Sequence, residues 1–80
     1  MEISAQISLY PLGKDHLHEE IRRFVEILEA KGLNCTIGSM STLVAGDSAA
    51  VFPALQEAFE YAAARGGYVM VSTISNACPV

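Results

Sequence analysis

The chain opens with a stretch that alternates without interruption: Glu2-Ile3-Ser4-Ala5-Gln6-Ile7-Ser8-Leu9-Tyr10. Apolar side chains at every second position predict a β-strand with one buried face. The opposite face carries an amide, hydroxyls and a phenol, which can hydrogen-bond and stack, where a merely solvated strand usually shows Lys, Glu and Thr. We therefore expect the open face of the sheet to be a binding surface.

The composition describes a small, acidic and rather apolar domain. The chain has 80 residues, a mass of 8.6 kDa, 51% hydrophobic and 18% charged residues, and a formal net charge of −4 with a pI near 4.9. One core of this size is close to the lower limit of stability, and the apolar content predicts a subunit interface in a homodimer or homotetramer. Nucleic acids and anionic membranes require clustered Lys and Arg, and only five scattered basic residues are present, so neither is expected as a partner.

The sequence shows no targeting segment and no metal motif. It has no basic, apolar leader and no apolar run near the roughly 20 residues that span a bilayer, so a cytoplasmic location without membrane insertion is expected. Cys35 and Cys78 lie in no CxxC or Cys/His spacing. We interpret both as reduced thiols with a structural role, and we expect no metal and no cofactor.

A helix and a hairpin are predicted after the first strand. Asp15 is the expected N-cap of the helix and Gly32 its stop. Its buried stripe follows helical spacing: Leu17, Ile21, Phe24, Val25 and Leu28. Residues 34–37 and 40–44 are predicted to form the two short arms of a β-hairpin around Gly38-Ser39.

A second helix and a last strand complete the chain. The apolar stripe of this helix is Val51, Leu55, Ala58, Phe59 and Ala62. Asp47 is expected to cap the helix and Gly66-Gly67 to end it, but Pro53 removes a backbone donor. The regular helix is therefore predicted either to start later than Asp47 or to have a distorted first turn. Residues 68–74 are predicted to form a strand that is apolar on both faces.

The order β-α-β-β-α-β predicts an α+β, ferredoxin-like domain that spans residues 1–80: a four-stranded antiparallel sheet with two helices on one face. The first and third strands are central, and the second and fourth lie at the edges. Provided that Val69 and Val71 point to the helices, the open face is expected to place Met70, Ser72 and Ile74 beside the polar side chains of the first strand. Cys35 and Cys78 then lie at opposite edges, too far apart for a disulfide within one chain.

Several activities built on this fold lack their residues here. The turn after the first strand has neither the thiols of a metallochaperone nor the arginine of an acylphosphatase, and the predicted third strand has no aromatic residue for RNA stacking. His16 and His18 lie two residues apart, on different faces of a helix start that is expected to be solvated. Four carboxylates belong to exposed helical faces and are assigned no acid–base role: Glu26, Glu29, Glu57 and Glu60.

Hydroxyl and amide side chains on the strands remain as candidates for ligand binding. No His or Lys is positioned to activate a hydroxyl, so binding is favoured over catalysis. For Ser8, Tyr10, Thr42 and Asn76 contact with a ligand is the preferred interpretation, because they are expected on or beside the open face. For Thr73 and Ser75, hydrogen bonding at the sheet edge is an equal alternative.

Three segments together resemble the small thiamine-binding protein family, which consists of YkoF-like domains of ferredoxin-like fold. They are residues 3–13 (Ile3-Ser4-Ala5-Gln6-Ile7-Ser8-Leu9-Tyr10-Pro11-Leu12-Gly13), 38–42 (Gly38-Ser39-Met40-Ser41-Thr42) and 73–80 (Thr73-Ile74-Ser75-Asn76-Ala77-Cys78-Pro79-Val80). The resemblance implies binding of thiamine or its hydroxymethylpyrimidine part without turnover, in vitamin transport or salvage, by dimers or dimers of dimers assembled through their sheets. The binding positions carried over are Gln6, Ser8, Tyr10, Ser41, Thr42, Thr73, Ser75 and Asn76. A cationic thiazolium would also suit an acidic protein and the ring of Tyr10 or Tyr68.

Two other functions stay open from the sequence. One is an oligomeric regulatory or structural module that uses its open face and edges for assembly and has no small-molecule ligand. The other is an enzyme acting on a pyrimidine, which lacks an evident general base.

Overall fold

A computed structural model describes residues 1–13 and 17–77 of the chain. Its elements follow the predicted order: β1 (Glu2–Pro11), α1 (Leu17–Ala30), β2 (Asn34–Ile37), β3 (Thr42–Asp47), α2 (Ser48–Ala63) and β4 (Tyr68–Ser75). The four strands form one antiparallel sheet in the order β2-β3-β1-β4. The predicted α+β, ferredoxin-like fold is confirmed. The predicted N-cap Asp15, together with His16 and Cys78, lies outside the described residues.

β1 lies in the middle of the sheet and sets the alignment of its neighbours. Ile7 is paired with Thr42 of β3 and Ser72 of β4, and Ala5 is paired with Val44 and Ile74. Residues directly opposite each other in antiparallel strands project to the same face of the sheet. The buried positions of β1 therefore determine which residues of β3 and β4 face the helices.

The core lies between this face of the sheet and the two helices. From β1 it receives Ile3, Ala5, Ile7 and Leu9, each at most 7% exposed. The predicted stripes of both helices close it, with Leu28, Val51 and Ala58 fully buried. Burial of each such side chain contributes about 1.5–3 kcal/mol relative to leaving it exposed. Gly32, with a positive φ of 83°, ends α1 as expected.

The orientation predicted for β4 is wrong. Val69 and Val71 are opposite Tyr10 and Ser8, so they lie on the open face, and they are 45% and 53% exposed. Met70 and Tyr68 instead lie on the helix side and pack against the core. Because residues 68–71 are apolar at both alternating positions, their pattern does not distinguish the two faces, and only the pairing with β1 does.

The junction between β3 and α2 also differs from the prediction. β3 continues through Gly46 to Asp47, and α2 begins at the next residue, Ser48. Asp47 caps the helix, because its carboxylate accepts a hydrogen bond from the Ala49 backbone N–H at 3.0 Å. The helix includes Pro53, so the later start that this residue suggested is wrong. One aspartate ends the strand and starts the helix.

The start of α1 is predicted to be solvated, but the side chain of Glu20 is buried there. Its side chain is only 5% exposed and forms ion pairs with Arg65, which follows α2, and with Arg23 at 3.1 Å. Its Oε1 atom is buried without a hydrogen-bond partner among the described residues. Arg65 is 45 residues away in sequence, so this contact connects α1 to the end of the second helix. The carboxylates expected to be exposed, Glu26, Glu29, Glu57 and Glu60, are exposed.

Cys35 is a free thiol that packs against the core from the edge strand β2. It is paired with Val44, so its side chain lies on the helix side of the sheet. Burial, with a smaller contribution from the Glu29 carboxylate, raises the pKa of the Cys35 thiol to about 11.

Replacement of Glu20 by Ala is expected to lower the free energy of unfolding by about 1–3 kcal/mol, because it removes the carboxylate that Arg65 and Arg23 share in a poorly hydrated site. Glu19→Ala is the matched control, since Glu19 is 65% exposed and its nearest oxygen is 3.9 Å from Arg23. Urea unfolding at one fixed protein concentration measures both. Equal stability of the two variants would contradict a structural role for the Glu20 ion pairs.

Native Cys35 is expected to react slowly with iodoacetamide at pH 8, because a pKa of about 11 leaves on the order of a hundredfold less thiolate than the ordinary thiol pKa of 9.0 would. The rate should rise steadily as the pH approaches 11. The measurement uses a Cys78→Ser variant, so that a single thiol is followed by mass spectrometry. A native rate at pH 8 equal to the rate in urea would contradict the prediction.

Candidate functional site

A pocket of about 270 Å³ opens at one end of the sheet, on the side of the helices. Three segments form its walls: the last part of β1, the turn between β2 and β3, and the first two turns of α1. Its described lining consists of Ile7, Ser8, Leu9, Tyr10, Leu17, Ile21, Phe24, Ile37, Gly38, Ser39, Met40, Ser41 and Thr42.

The pairing of β1 with β3 explains why these segments meet. The strands are antiparallel and Ile7 is opposite Thr42, so the turn that precedes Thr42 lies beside the last residues of β1. The turn is closed by a hydrogen bond of 2.8 Å from the Gly38 N–H to the Ser41 carbonyl oxygen. A side chain at position 38 would place its Cβ 3.0 Å from that same oxygen, so glycine suits this close approach.

Four of the predicted binding residues line the pocket: Ser8, Tyr10, Ser41 and Thr42. Tyr10 is 53% exposed and projects to the open face, whereas Thr42 is only 6% exposed. Thr42 does not lie on the open face as expected, because it is paired with the core residue Ile7 and projects to the helix side. Its hydroxyl therefore faces an apolar environment, where a hydrogen bond to a ligand is stronger than in water.

Gln6 reaches this region from the open face of the sheet. Its side-chain amide donates a hydrogen bond of 3.1 Å to the hydroxyl of Ser41. Together with Thr36 and Leu43, these two residues line a shallow hollow on the open face, and the turn residues Gly38 to Ser41 line both this hollow and the pocket. Ser39 and Ser41 are thus the hydroxyl-bearing residues shared by the two concave surfaces.

The remaining predicted residues lie on β4 and after it. Thr73 is opposite Gln6 on the open face, but Ser75 is opposite Ser4, and Asn76 follows it. The hydroxyl of Ser75 accepts a hydrogen bond of 2.9 Å from the Ala77 N–H. The strand spacings put Ser75 about 14 Å from Thr42, because three residues along β1 and two strand intervals separate them. One chain does not bring Ser75 and Asn76 to the pocket.

Leu17, Ile37, Ser39 and Met40 line the pocket although the sequence did not single them out as binding residues. Met40 is 89% exposed, and Leu17 and Ile37 are each about half exposed. The expected antiparallel order already placed the turn around Gly38-Ser39 beside the end of β1. Apolar residues at that turn were therefore the signal that could have identified this wall.

The open face combines polar side chains with an exposed apolar group and carries little charge. Leu43, Val69, Val71 and Tyr10 lie there with 38–53% of their surface exposed. Among the described residues of the four strands, Glu2 and Asp47 are the charged ones, and they are paired with each other at the end of the sheet remote from the pocket. Tyr68 packs on the helix side, so Tyr10 is the tyrosine at this surface.

Two further properties concern membranes and metals. Neither described helix is long and apolar enough to cross a bilayer. In the ranges 1–13 and 17–77, no group of three or more His, Cys, Asp or Glu side chains is arranged to hold a metal ion.

A comparison with protein families gives one match: the family model described as Thiamine-binding protein matches residues 5–76. This range includes all eight predicted binding positions and every described residue that lines the pocket. The sequence matches no curated protein.

Solved structures of similar fold come from both archaea and bacteria. A hypothetical protein of Methanocaldococcus jannascii superimposes with a TM-score of 0.84 at 22% identity, over 94% of this chain and 79% of that one. A Thermotoga maritima protein, described as proposed to act in thiamine biosynthesis or salvage, gives a TM-score of 0.81 at 23% identity, with coverages of 94% and 83%. A Streptococcus pneumoniae protein gives 0.83 at 18% identity, with coverages of 94% and 86%. At these identities the likeness concerns the fold.

Proposed function

Because the chain belongs to the thiamine-binding protein family, we propose that it binds thiamine or its hydroxymethylpyrimidine part without turnover, in transport or salvage of the vitamin. The observation that carries the proposal is the pocket beside β1, whose lining combines hydroxyl-bearing residues with apolar side chains. Small-molecule sites are commonly of this type, with a few polar groups that fix the orientation of a ring held by apolar contacts.

The lining matches the chemistry of an aminopyrimidine. Such a ring offers neighbouring hydrogen-bond donors and acceptors at its edge and apolar faces above and below. Ser41 and Thr42 supply hydroxyls that can both donate and accept, and Phe24 and Ile21 supply an apolar wall from α1. A volume of about 270 Å³ is small for a ligand pocket and suits a single ring with its substituents.

The thiazolium of thiamine would extend toward the mouth of the pocket. Tyr10 contributes to the pocket lining and is half exposed toward the open face, and a cation that reaches its ring would gain about 0.5–2 kcal/mol. The net charge of −4 on the chain also favours a cationic ligand over an anionic one.

Binding without turnover is proposed because of the kinds of group in the pocket. Its described lining consists of apolar side chains, hydroxyls and a glycine, and none of these residues is a carboxylate, an imidazole or an amine that could serve as a general base. Conversion of an aminopyrimidine by the purified protein would revive the enzyme alternative.

A homo-oligomer assembled through the open face is part of the proposal. A sheet face with exposed apolar side chains and little charge is the kind of surface that a second copy covers, since it carries few like charges to repel its equivalent. If two sheets stack with their strands in opposite directions, the Ser75 and Asn76 end of one chain lies over the Tyr10 and Ser41 end of the other. Ser75, Asn76 and Thr73 would then approach the ligand from a partner copy.

Thr42→Val is expected to weaken binding of thiamine and of hydroxymethylpyrimidine by about tenfold, because it keeps the shape of a buried side chain and removes its hydroxyl. Isothermal titration of wild type and variant, each at a concentration of known oligomeric state, measures the effect. Thr36→Val is the matched control, since Thr36 is exposed on β2 outside the pocket. Equal affinity of Thr42→Val and wild type would show that the ligand does not bind in this pocket.

Asn76→Ala extends the same titration to the opposite end of the sheet. The proposed face-to-face assembly predicts weaker binding in this variant together with an unchanged oligomeric state. Unchanged affinity would confine the site to residues of one chain. No saturable heat with either ligand would favour the alternative of an assembly module, which the exposed Val69 and Val71 also support.

Val71→Lys is expected to dissociate the proposed oligomer, because it introduces a charge among the exposed apolar side chains that a second copy would cover. Light scattering coupled to size-exclusion chromatography gives the mass at several protein concentrations. Ala63→Lys adds the same charge at an exposed position on α2 and should leave the mass unchanged. An unaltered mass for Val71→Lys would exclude the open face as the interface.

A further inference from the structure

The pocket has a lining that carries no charge. All thirteen of its described lining residues are apolar, hydroxyl-bearing or glycine. Two of the hydroxyls, those of Ser41 and Thr42, lie on the β3 side, opposite the apolar side chains that α1 contributes. A ligand in this space is held by hydrogen bonds and apolar contacts, and none of the described lining residues could neutralise an anion.

The start of α1, which forms one wall, already has acidic side chains. Leu17 and Ile21 line the pocket, and Glu19 and Glu20 occupy the first turn between them. The N-terminus of a helix attracts anions through its dipole and free N–H groups, but the exposed carboxylate of Glu19 lies in the first described turn and repels a second anion there. The carboxylate of Glu20 is compensated by its ion pairs with Arg23 and Arg65.

Three of the four described Lys and Arg residues are engaged in ion pairs. Arg23 and Arg65 form ion pairs with Glu20, and Lys31 pairs with Glu57 at 3.0 Å across the two helices. The fourth, Arg22, is exposed on α1, and none of the four lines the pocket. A phosphate group in the pocket would therefore meet no cation of the described lining, in a chain whose net charge is −4.

From these charges we infer that the site takes the free alcohol form of its ligand and discriminates against the phosphate esters. The inference rests on the proposed function and adds to it the chemical class that is accepted: an uncharged or cationic heteroaromatic alcohol. It also gives the site a place in a reaction sequence. A phosphatase would act before binding, and phosphorylation of the alcohol by a kinase would favour release of the product from this protein.

Paired titrations test the inference directly. Thiamine is compared with thiamine monophosphate, and hydroxymethylpyrimidine with its phosphate, by isothermal titration at pH 7.5. We expect each alcohol to bind at least about tenfold more tightly than its ester. Because the discrimination is electrostatic, the ratio should become smaller when the ionic strength is raised from about 0.05 to 0.5 M.

A second experiment tests the inference with a charge placed beside the pocket. Ser39 lines the pocket and is exposed, so Ser39→Lys adds a cation there without burying it. This variant should bind thiamine monophosphate more tightly than wild type does and reduce the ratio between alcohol and ester severalfold. Ser39→Gln is the matched control of similar polarity without charge, and it should leave the ratio unchanged.

The outcomes separate this inference from the proposed function. Saturable binding of the alcohols with equal or tighter binding of the esters would overturn the inference and leave the proposed function standing. Lys14→Gln would then show the contribution of a lysine that lies just before α1 in sequence, outside the described residues. Failure of all four compounds to bind would overturn both.

Discussion

The pairing of β1 with β3 on one side and with β4 on the other is the constraint on which the rest of the structure depends. It fixes Ile3, Ala5, Ile7 and Leu9 beneath the helices and thereby assigns every paired residue of the neighbouring strands to one of two faces. A shift of one residue in this pairing would bring Val71 and Val69 under the helices and expose the residues now buried. The same strand pairing therefore determines both which residues form the core and which residues form the open face.

The candidate site lies where this sheet ends and the helix layer begins. There the turn before Thr42 extends past the last pair of β3 with β1, and α1 covers it incompletely. The result is a concave surface whose walls come from three segments of the chain, so its polar groups are held by the fold and do not depend on a long loop. The Gln6 to Ser41 hydrogen bond connects it to the open face.

The sequence was sufficient for the order of the elements and for the helical stripes, because β1 alternates strictly and both helices carry apolar residues at helical spacing. It was not sufficient for the face of β4, whose residues 68–71 are apolar at both positions, or for Thr42, whose orientation depends on a partner 35 residues earlier. The burial of Glu20 was missed for the same reason, since its partner Arg65 is distant in sequence. Features that depend on the residues of one segment could be predicted from the sequence. Features that depend on which strands or side chains pair with each other could not.

Asp47 is the last residue of β3 and also the cap of α2, so no connecting residue separates the strand from the helix. A junction without a loop has no connecting residues that could act as a hinge between strand and helix. The other end of β3 differs, because a turn around Gly38 precedes it and forms part of the pocket wall together with the exposed Met40. The two ends of β3 are therefore unlike: one continues directly into a helix, and the other follows a turn that borders the pocket.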